Sequence, residues 1–286
     1  MYPSLLKGKA RVISNMFKNE FMLNCGLVSI ITPSWNCETF LDETIRSVQS
    51  QTYKNWELLF QDDCSTDNTK DIIAKYAEKD SRIKYEINNK NSGAAITRNN
   101  ALKRAKGKWI AFLDSDDLWE PEKLEKQVRF MKNNGYHFSY TECIFIDECS
   151  NPLGVHVSGP HKVGKFHMYN YCWIGCLTVM YDREYIGLVQ IEDIKKNNDY
   201  AMWLKVSQYA DCYLLPEVLA SYRVRQNSIS RHPKIALIKW HYKLFRDAEK
   251  QNVIMSVINT IRNLIFGVYK KLRYNKRYTV NNNKTK

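Results

Sequence analysis

The chain has 286 residues, of which 44% are hydrophobic and 13% aromatic, and this composition excludes a mainly disordered protein. Its formal charge of +13 suggests nucleic-acid binding until its position is considered. Residues 223–286 hold sixteen Lys and Arg against two acids, so the first 222 residues carry a net charge of −1. We therefore expect no nucleic acid as a partner, although a protein that binds one through this basic tail is an alternative.

The cysteines, the histidines and the N-terminal segment each exclude a class of protein. Eight scattered cysteines without a CxxC pair are typical of reduced thiols in a cytoplasmic protein, and the spacing of the six His matches no zinc motif. No stretch reaches the roughly 18 uninterrupted apolar residues of a membrane span. Residues 1–25 lack the apolar core of a secretion signal, and we assign this N-terminal extension no role.

The first half of the chain alternates apolar runs with helical patterns. Four runs predict buried strands, at residues 27–32, 56–60, 83–87 and 109–113. Helical spacing predicts three intervening helices, to about residue 51, around residues 72–76, and at residues 93–106. This order predicts an α/β fold with a doubly wound, mostly parallel sheet and right-handed crossovers.

Polar clusters follow three of these strands, at residues 33–36, 62–63 and 114–117. The carboxyl ends of parallel strands meet at one edge of a sheet, which is where ligands bind in such folds. Asp114, Asp116 and Asp117 lie within four residues, and carboxylates so close together repel one another. Oxygen ligands of this kind suit Mg²⁺ or Mn²⁺ together with substrate phosphates, whereas the alternative is a solvated acidic turn that caps the next helix.

The second half of the chain has a different pattern. After a predicted helix at residues 121–134, the runs at residues 138–146 and 173–181 predict strands, and hence a mixed half-sheet that shapes the pocket for a second substrate. Asn197 and Asn198 could cap a helix that carries Asp199 in its first turn. From spacing alone, Asp199 is either a functional acid or an ordinary acid near a helix cap.

The basic tail, residues 223–286, follows a catalytic domain that we place at residues 26–222. Two helices are predicted in the tail, at residues 233–250 and 252–272, and both mix apolar and aromatic residues with Lys and Arg. Amphipathic cationic helices of this kind bind anionic membrane surfaces. The alternative is a helix that packs on its own domain and keeps a solvated basic face.

Four motifs in register carry a resemblance to a known family, namely VSIITPSWN, QDDCSTDNT, GAAITRNNALKRAKGKWIAFLDSDD and NNDYAMWLKV. Together they resemble the family 2 glycosyltransferases of the A-type nucleotide-sugar-binding fold, over about residues 26–230. Within that family, the chain is similar to bacterial transferases of the hexosyltransferase type that build cell-surface polysaccharides such as capsule, O-antigen or teichuronic acid. The cysteine pattern and the cationic C-terminal helices together predict a cytoplasmic enzyme, peripherally bound to the inner face of the cell membrane.

The resemblance also implies roles for individual residues. Asp114 and Asp116 match the DxD pair that places Mn²⁺ or Mg²⁺ against the donor diphosphate, with Asp117 assisting, and Asp199 matches the general base. Asp62 or Asp63 would accept a hydrogen bond from the base of the nucleotide. The complete set implied for binding the nucleotide sugar is Thr32, Pro33, Ser34, Asn36, Glu38, Asp62, Asp63, Arg98, Asp114, Ser115 and Asp116.

The implied reaction is a single displacement with inversion, in which one sugar passes from a nucleotide sugar, expected to be UDP-linked, to a hydroxyl of a glycan or polyprenyl-linked acceptor. The QxxRW motif of processive members is absent, and residues 222–230 resemble the YRxxxNS loop of non-processive members. Two alternatives stay open, an inactive sugar-binding relative and a phosphatase of the haloacid dehalogenase type. The phosphatase normally has Thr or Val after the second Asp, where this chain has Asp117.

Overall fold

The computed structural model describes residues 25–225 and 234–280. The predicted N-terminal extension lies outside the described residues except for Cys25, which is buried in the core. The strands are β1 (Val28–Ser34), β2 (Trp56–Asp62), β3 (Ile83–Ile87), β4 (Trp109–Phe112), β5 (Leu118–Trp119), β6 (Phe138–Ile146), β7 (Pro152–Val157), β8 (Lys162–Val163), β9 (Met180–Asp182), β10 (Cys212–Arg223) and β11 (Asn275–Arg277).

The helices connect these strands and cover both faces of the sheet. They are α1 (Glu38–Gln49), α2 (Thr69–Lys79), α3 (Ala94–Arg104), α4 (Lys123–Asn134), α5 (Lys165–Asn170), α6 (Arg183–Ile186), α7 (Asn198–Val206), α8 (Lys234–Lys243) and α9 (Val253–Tyr274). A 3₁₀ turn spans Cys176–Thr178, and a π-helical segment, Leu244–Ala248, continues α8.

The first half of the sheet is parallel, as the sequence predicts. β1 lies between β2 and β4, and β3 pairs with β2, all in parallel register. Neighbouring residues of β1 point to opposite faces, so Ile30 and Ile31 enter two separate apolar clusters, and both are fully buried. This double burial explains why the strands read as continuous apolar runs.

The second half of the sheet is mixed. β9 joins the two halves, running antiparallel to both β4 and β6. β7 and β11 extend the sheet in antiparallel register beyond β6, whereas β10 pairs with β6 in parallel. The predicted fold class, with a mostly parallel half, a mixed half and C-terminal helices, is therefore confirmed.

Two predictions in the second half are wrong or incomplete. A strand was expected over residues 173–181, but the segment forms a 3₁₀ turn and only Met180–Asp182 is β-structure. Its apolar residues are buried by packing and not by sheet pairing, since the ring of Trp173 contacts Phe266 on α9. The sequence also missed β10, whose pairing with β6 shifts register between Leu215 and Ala220, so the apolar alternation is broken there.

Helix α9 packs with its polar face inwards. Its buried residues are Ser256, Asn259, Thr260 and Asn263. Most of its apolar residues face outwards, with Ile254, Ile265 and Leu272 exposed by 71%, 61% and 81%, whereas Phe266 packs against Trp173. Helix α9 therefore packs on its own domain and keeps Lys271 and Arg273 exposed, while its outer face also exposes apolar residues. No helix within the described ranges is long and apolar enough to cross a membrane.

Candidate active site

The site begins where β1 and β2 end side by side. Ser34 lies opposite Asp62 in the parallel register, and its Oγ donates to Asp62 Oδ1 at 3.1 Å. Thr32 is fully buried and its hydroxyl has no hydrogen-bond partner among the described residues, while Pro33 is half-buried. The ends of the two strands are thus joined into one polar rim.

Both aspartates after β2 are buried and hold loops. Asp62 accepts from the backbone N–H of Ser65 at 2.8 Å and from its Oγ. Asp63 accepts from the backbone N–H groups of Ser92 and Gly93 at 2.7 and 2.8 Å, at the start of α3. A carboxylate has about four acceptor positions, so each can accept a further hydrogen bond.

Asn36 and Glu38 hold the loop after β2 against the end of β1. Asn36 Oδ1 accepts from the backbone N–H of Thr66 at 2.8 Å, and Glu38 Oε2 accepts from that of Asn68 at 2.9 Å. Trp35 stands beside them, 51% exposed, next to the positive φ of 46° at Asn36. Sequence reasoning did not single out Trp35, although a tryptophan in a polar turn is the signal that could have done so.

Arg98 on α3 connects the polar edge of the parallel half-sheet to the second half of the molecule. Its Nη2 pairs with Asp114 Oδ1, and its Nη1 donates to Asn198 Oδ1 at 3.2 Å. Burial alone would lower the pKa of this guanidinium, but the charges of Asp114 and Asp199 raise it on balance. Through its hydrogen bond, Asn198 orients Arg98.

Asp116 is held from the opposite side by the end of β10. Arg225 Nε lies 2.8 Å from Asp116 Oδ2, and Arg223 Nε donates to the Asp116 backbone oxygen at 2.7 Å. Burial, together with the charge of Asp114, raises the pKa of Asp116, and Arg225 offsets part of that rise. Each of the two DxD carboxylates is therefore paired with its own arginine.

Asp117 differs from the other two acids because it points into the protein. It is 1% exposed, and its Oδ1 accepts from the backbone N–H of Arg223 at 2.8 Å. Burial and the neighbouring aspartates raise its pKa well above the usual range. Ser115, between the DxD acids, is also buried and accepts through its carbonyl oxygen from Thr44 Oγ1 at 3.2 Å.

Asp114 and Asp116 fit a hard divalent cation by their chemistry. Their side chains are 32% and 19% exposed and offer oxygen ligands only. Within residues 25–225 and 234–280, no group of three or more His, Cys, Asp or Glu could hold a metal ion. Mg²⁺ commonly binds through one or two carboxylates together with substrate phosphates, and the two aspartates match that need.

Asp199 lies in the first turn of α7, close to Arg98 but without an arginine of its own. Its Oδ1 accepts from the backbone N–H of Tyr200 at 2.9 Å. Burial raises the pKa of Asp199, while Arg98 acts in the opposite direction. A carboxylate with a raised pKa is a stronger base than a solvated one, which suits proton abstraction.

Arg223 is the largest omission of the sequence reasoning, which counted it with the basic tail. It is 1% exposed, and its guanidinium also donates to Ser150 Oγ at 2.9 Å and to Glu43 Oε2 at 2.7 Å. It thereby fastens the backbone of Asp116 to α1 and to the turn before β7. Net charge alone could not separate this buried residue from the surface cations that follow it.

Comparison with known proteins assigns the family. The model of glycosyl transferase family 2 matches residues 29–179, more than half of the chain. The chain belongs to glycosyl transferase family 2. This confirms the family expected from the four motifs, and the protein is a glycosyltransferase.

Relatives match this family 2 chain over most of their length. It is 41% identical, over 226 residues, to a glycosyltransferase of Bacillus subtilis (strain 168) whose name assigns it to teichuronic acid biosynthesis, covering 78% of this chain and 89% of the relative. It is 36% identical, over 246 residues, to an Escherichia coli enzyme named UDP-Glc:alpha-D-GlcNAc-diphosphoundecaprenol beta-1,3-glucosyltransferase, covering 85% and 94%.

The fold of this family 2 chain is similar to that of solved glycosyltransferases. Residues 1–349 of S. aureus TarS, in complex with UDP-GlcNAc, superpose with a TM-score of 0.66 at 21% identity, covering 84% of this chain and 73% of that one. A mannosyltransferase from Pyrobaculum calidifontis, in complex with GDP-Man and Mn²⁺, gives a TM-score of 0.58 at 16% identity, covering 85% and 75%. At these sequence identities, the two comparisons show a similar fold and nothing further.

Proposed function

We propose that this enzyme transfers one sugar from a UDP-sugar to a hydroxyl of a lipid-linked glycan, with inversion, during cell-surface polysaccharide synthesis. The observation that carries the proposal is the contact of Arg98 with both Asp114 and Asn198, the residue before Asp199. It couples the DxD pair to the carboxylate suited to act as base. The names of the B. subtilis and E. coli relatives support the pathway, the UDP donor and a diphosphate-linked lipid acceptor.

The donor fits along the ends of β1, β2 and β4. The exposed ring of Trp35 offers a stacking surface for the nucleotide base, and Asp62 or Asp63 can accept from its imide N–H. The diphosphate lies against Asp114 and Asp116, where a divalent ion, when bound, neutralises charge on the leaving nucleoside diphosphate.

The chemistry requires a single base on the acceptor side. Asp199 takes the proton of the acceptor hydroxyl while the hydroxyl oxygen forms its bond to the anomeric carbon. The bond from that carbon to the diphosphate oxygen breaks on the opposite face, and its electron pair leaves with UDP. One displacement inverts the anomeric configuration, and release after each transfer makes the reaction non-processive.

The outer face of α9 supports peripheral binding to an anionic membrane, where a lipid-linked acceptor resides. Apolar side chains of α8 and α9 line a groove of about 550 Å³, among them Ile238, Val257 and Ile261. Basic residues flank this face, including Lys271 and Arg273. An exposed apolar strip beside cations suits an interface between lipid headgroups and acyl chains.

A panel of nucleotide sugars tests the donor assignment, and a transfer assay tests the reaction. Ligands that bind the folded state raise its melting temperature, so we expect one UDP-sugar to stabilise the protein more with Mn²⁺ than without. That donor should then be transferred to a sugar-diphosphate-lipid acceptor, with an inverted anomeric configuration by NMR. Stabilisation by no nucleotide sugar, or retention of configuration, would contradict the proposal.

A further inference from the structure

Lys270 is a cation that α9 directs towards the protein interior. The residue is half-buried, and its Nζ donates to the Cys172 carbonyl oxygen at 3.3 Å and lies 5.5 Å from the centre of the Tyr171 ring. One turn earlier, a Cβ on Gly267 would lie 2.8 Å from Tyr171 Cε2. The glycine therefore allows the helix to approach this segment closely, which places Lys270 against it.

Lys270 lies near the acceptor side of the active site. The negative charge of Asp199 raises the pKa of the Cys172 thiol and the positive charge of Lys270 lowers it, while burial has the largest effect. Both charges therefore act on the same thiol, and Lys270 contacts the backbone of that residue. The inner face of α9 also reaches the base segment directly, since Asn263 Nδ2 donates at 2.7 Å to the hydroxyl of Tyr200, the residue after Asp199.

The ammonium group of Lys270 has no counter-charge among the described residues. It makes one long hydrogen bond although it has three donors, and the only groups that raise its pKa are the Cys172 and Cys143 thiols. Burial lowers the pKa of Lys270. Removing an unpaired charge from water costs free energy, and an anion bound beside Nζ would offset that cost.

We propose that Lys270 binds the phosphate through which the acceptor sugar is joined to its lipid. This inference rests on the proposed function and names the group that recognises its acceptor. The donor diphosphate has its own position at Asp114 and Asp116, each of which is paired with an arginine. Lys270 lies instead against the Cys172 segment, on the helix whose inner face contacts the base segment through Asn263 and Tyr200.

The same helix accounts for the lipid. Lys270 faces inwards, whereas Val268 and Leu272, two residues away on either side, are 61% and 81% exposed. Val268 and Leu272 lie on the opposite face of α9 from Lys270, so a lipid chain joined to the phosphate passes round the helix to reach this apolar surface. Helix α9 would thus recognise both the phosphate and the hydrocarbon of one acceptor molecule.

Two soluble acceptors and two lysine variants test this assignment in the full-length protein. The acceptors are GlcNAc α-linked to a short alkyl chain either through diphosphate or directly through oxygen. Lys270→Met removes the charge and keeps much of the volume, and Lys270→Gln serves as a more polar second variant. Lys276→Met is the matched control, because Lys276 is an exposed lysine on β11, the strand that directly follows α9. KM is measured for both acceptors and for the UDP-sugar.

Loss of one charge–phosphate contact should raise KM for the diphosphate acceptor about tenfold, equivalent to about 1.4 kcal/mol. We expect unchanged KM for the neutral acceptor and the donor, partial recovery in Lys270→Arg, and no effect in Lys276→Met. Equal changes with both acceptors, or no change with either, would overturn the role of Lys270 while leaving the proposed function intact. Failure of the wild-type enzyme to use either acceptor would instead contradict the proposed function, and this inference with it.

Discussion

Helices α1 and α9 bury opposite kinds of residue. α1 lies on the donor half and buries Leu41, Ile45 and Val48, all fully inaccessible to solvent. α9 lies on the acceptor half and buries serine, asparagine and threonine while its isoleucines face outwards. The contrast indicates that the donor half is built around its own core. The outer part of the acceptor half instead exposes an apolar surface, which is the observation behind the proposed membrane contact.

The two halves also divide the chemistry, and substitution of the base should give the largest effect. Asp199→Asn keeps the shape of the residue but cannot take the acceptor proton, so we expect kcat to fall by about 10²–10⁴-fold. Donor binding should remain, because the DxD pair belongs to the other half. Stopped-time transfer assays and UDP titration of the same preparation measure both quantities, and normal turnover would remove Asp199 from the mechanism.

The pH profile of the wild-type enzyme also tests whether Asp199 is the base. Burial raises the pKa of Asp199, so activity should decline as the pH falls through a value above the roughly 3.9 of a free aspartate. The groups acting on it are Arg98, which lowers this pKa, and Asp114, which raises it. An acid limb at or below the free value would show that another group titrates.

Alanine substitutions on α1 and on α9 should change the free energy of unfolding by different amounts. Ile45→Ala empties a fully buried position in α1 and should cost about 2–5 kcal/mol in the free energy of unfolding. Ile265→Ala on α9 removes a side chain that is 61% exposed and should change that free energy by less than about 0.5 kcal/mol. Urea denaturation of both variants measures the difference. Similar losses would mean that α9 packs its apolar face within the protein.

Binding to vesicles should depend on the exposed apolar residues of α9 and not on exposed apolar residues elsewhere. The double variant Ile261→Gln, Ile265→Gln should weaken binding to anionic vesicles by about tenfold or more, because full burial of each isoleucine contributes about 1.5–3 kcal/mol. Ile87→Gln is the control, since Ile87 is 46% exposed on β3, at the opposite edge of the sheet. Equal binding by the wild type and the double variant in flotation assays would exclude α9 as the contact.

The donor half could be predicted from sequence because its pattern is simple. Strands buried on both faces produce unbroken apolar runs, and β1 to β4 were all found. β5 has only two residues and β10 is interrupted at its bulge, so neither strand shows a clear alternation of apolar and polar residues in the sequence. The strand predicted at residues 173–181 was wrong because a buried irregular segment contains as many apolar residues as a buried strand does.

The site could be predicted only in part, for a related reason. The resemblance points to Asp114, Asp116 and Asp199, and the structure brings Asp114 and Asp199 towards Arg98, whereas Asp116 pairs with Arg225. The burial of Arg223 and its hydrogen bonds depend on the path of β10, which the sequence did not reveal. Likewise, periodicity predicts that α9 is amphipathic but cannot tell which of its faces meets the protein.

Titration of UDP into the protein, with and without Mn²⁺, tests the central claim most directly. The claim is that Asp114 and Asp116 bind a nucleoside diphosphate together with a divalent ion, so removing one carboxylate should abolish the metal-dependent part of the affinity. Asp71→Ala serves as the control, because Asp71 is an exposed acid on α2. Calorimetry should show Mn²⁺-dependent binding by the wild type and Asp71→Ala, and none by Asp116→Ala. Unchanged Mn²⁺-dependent affinity in Asp116→Ala would contradict the account.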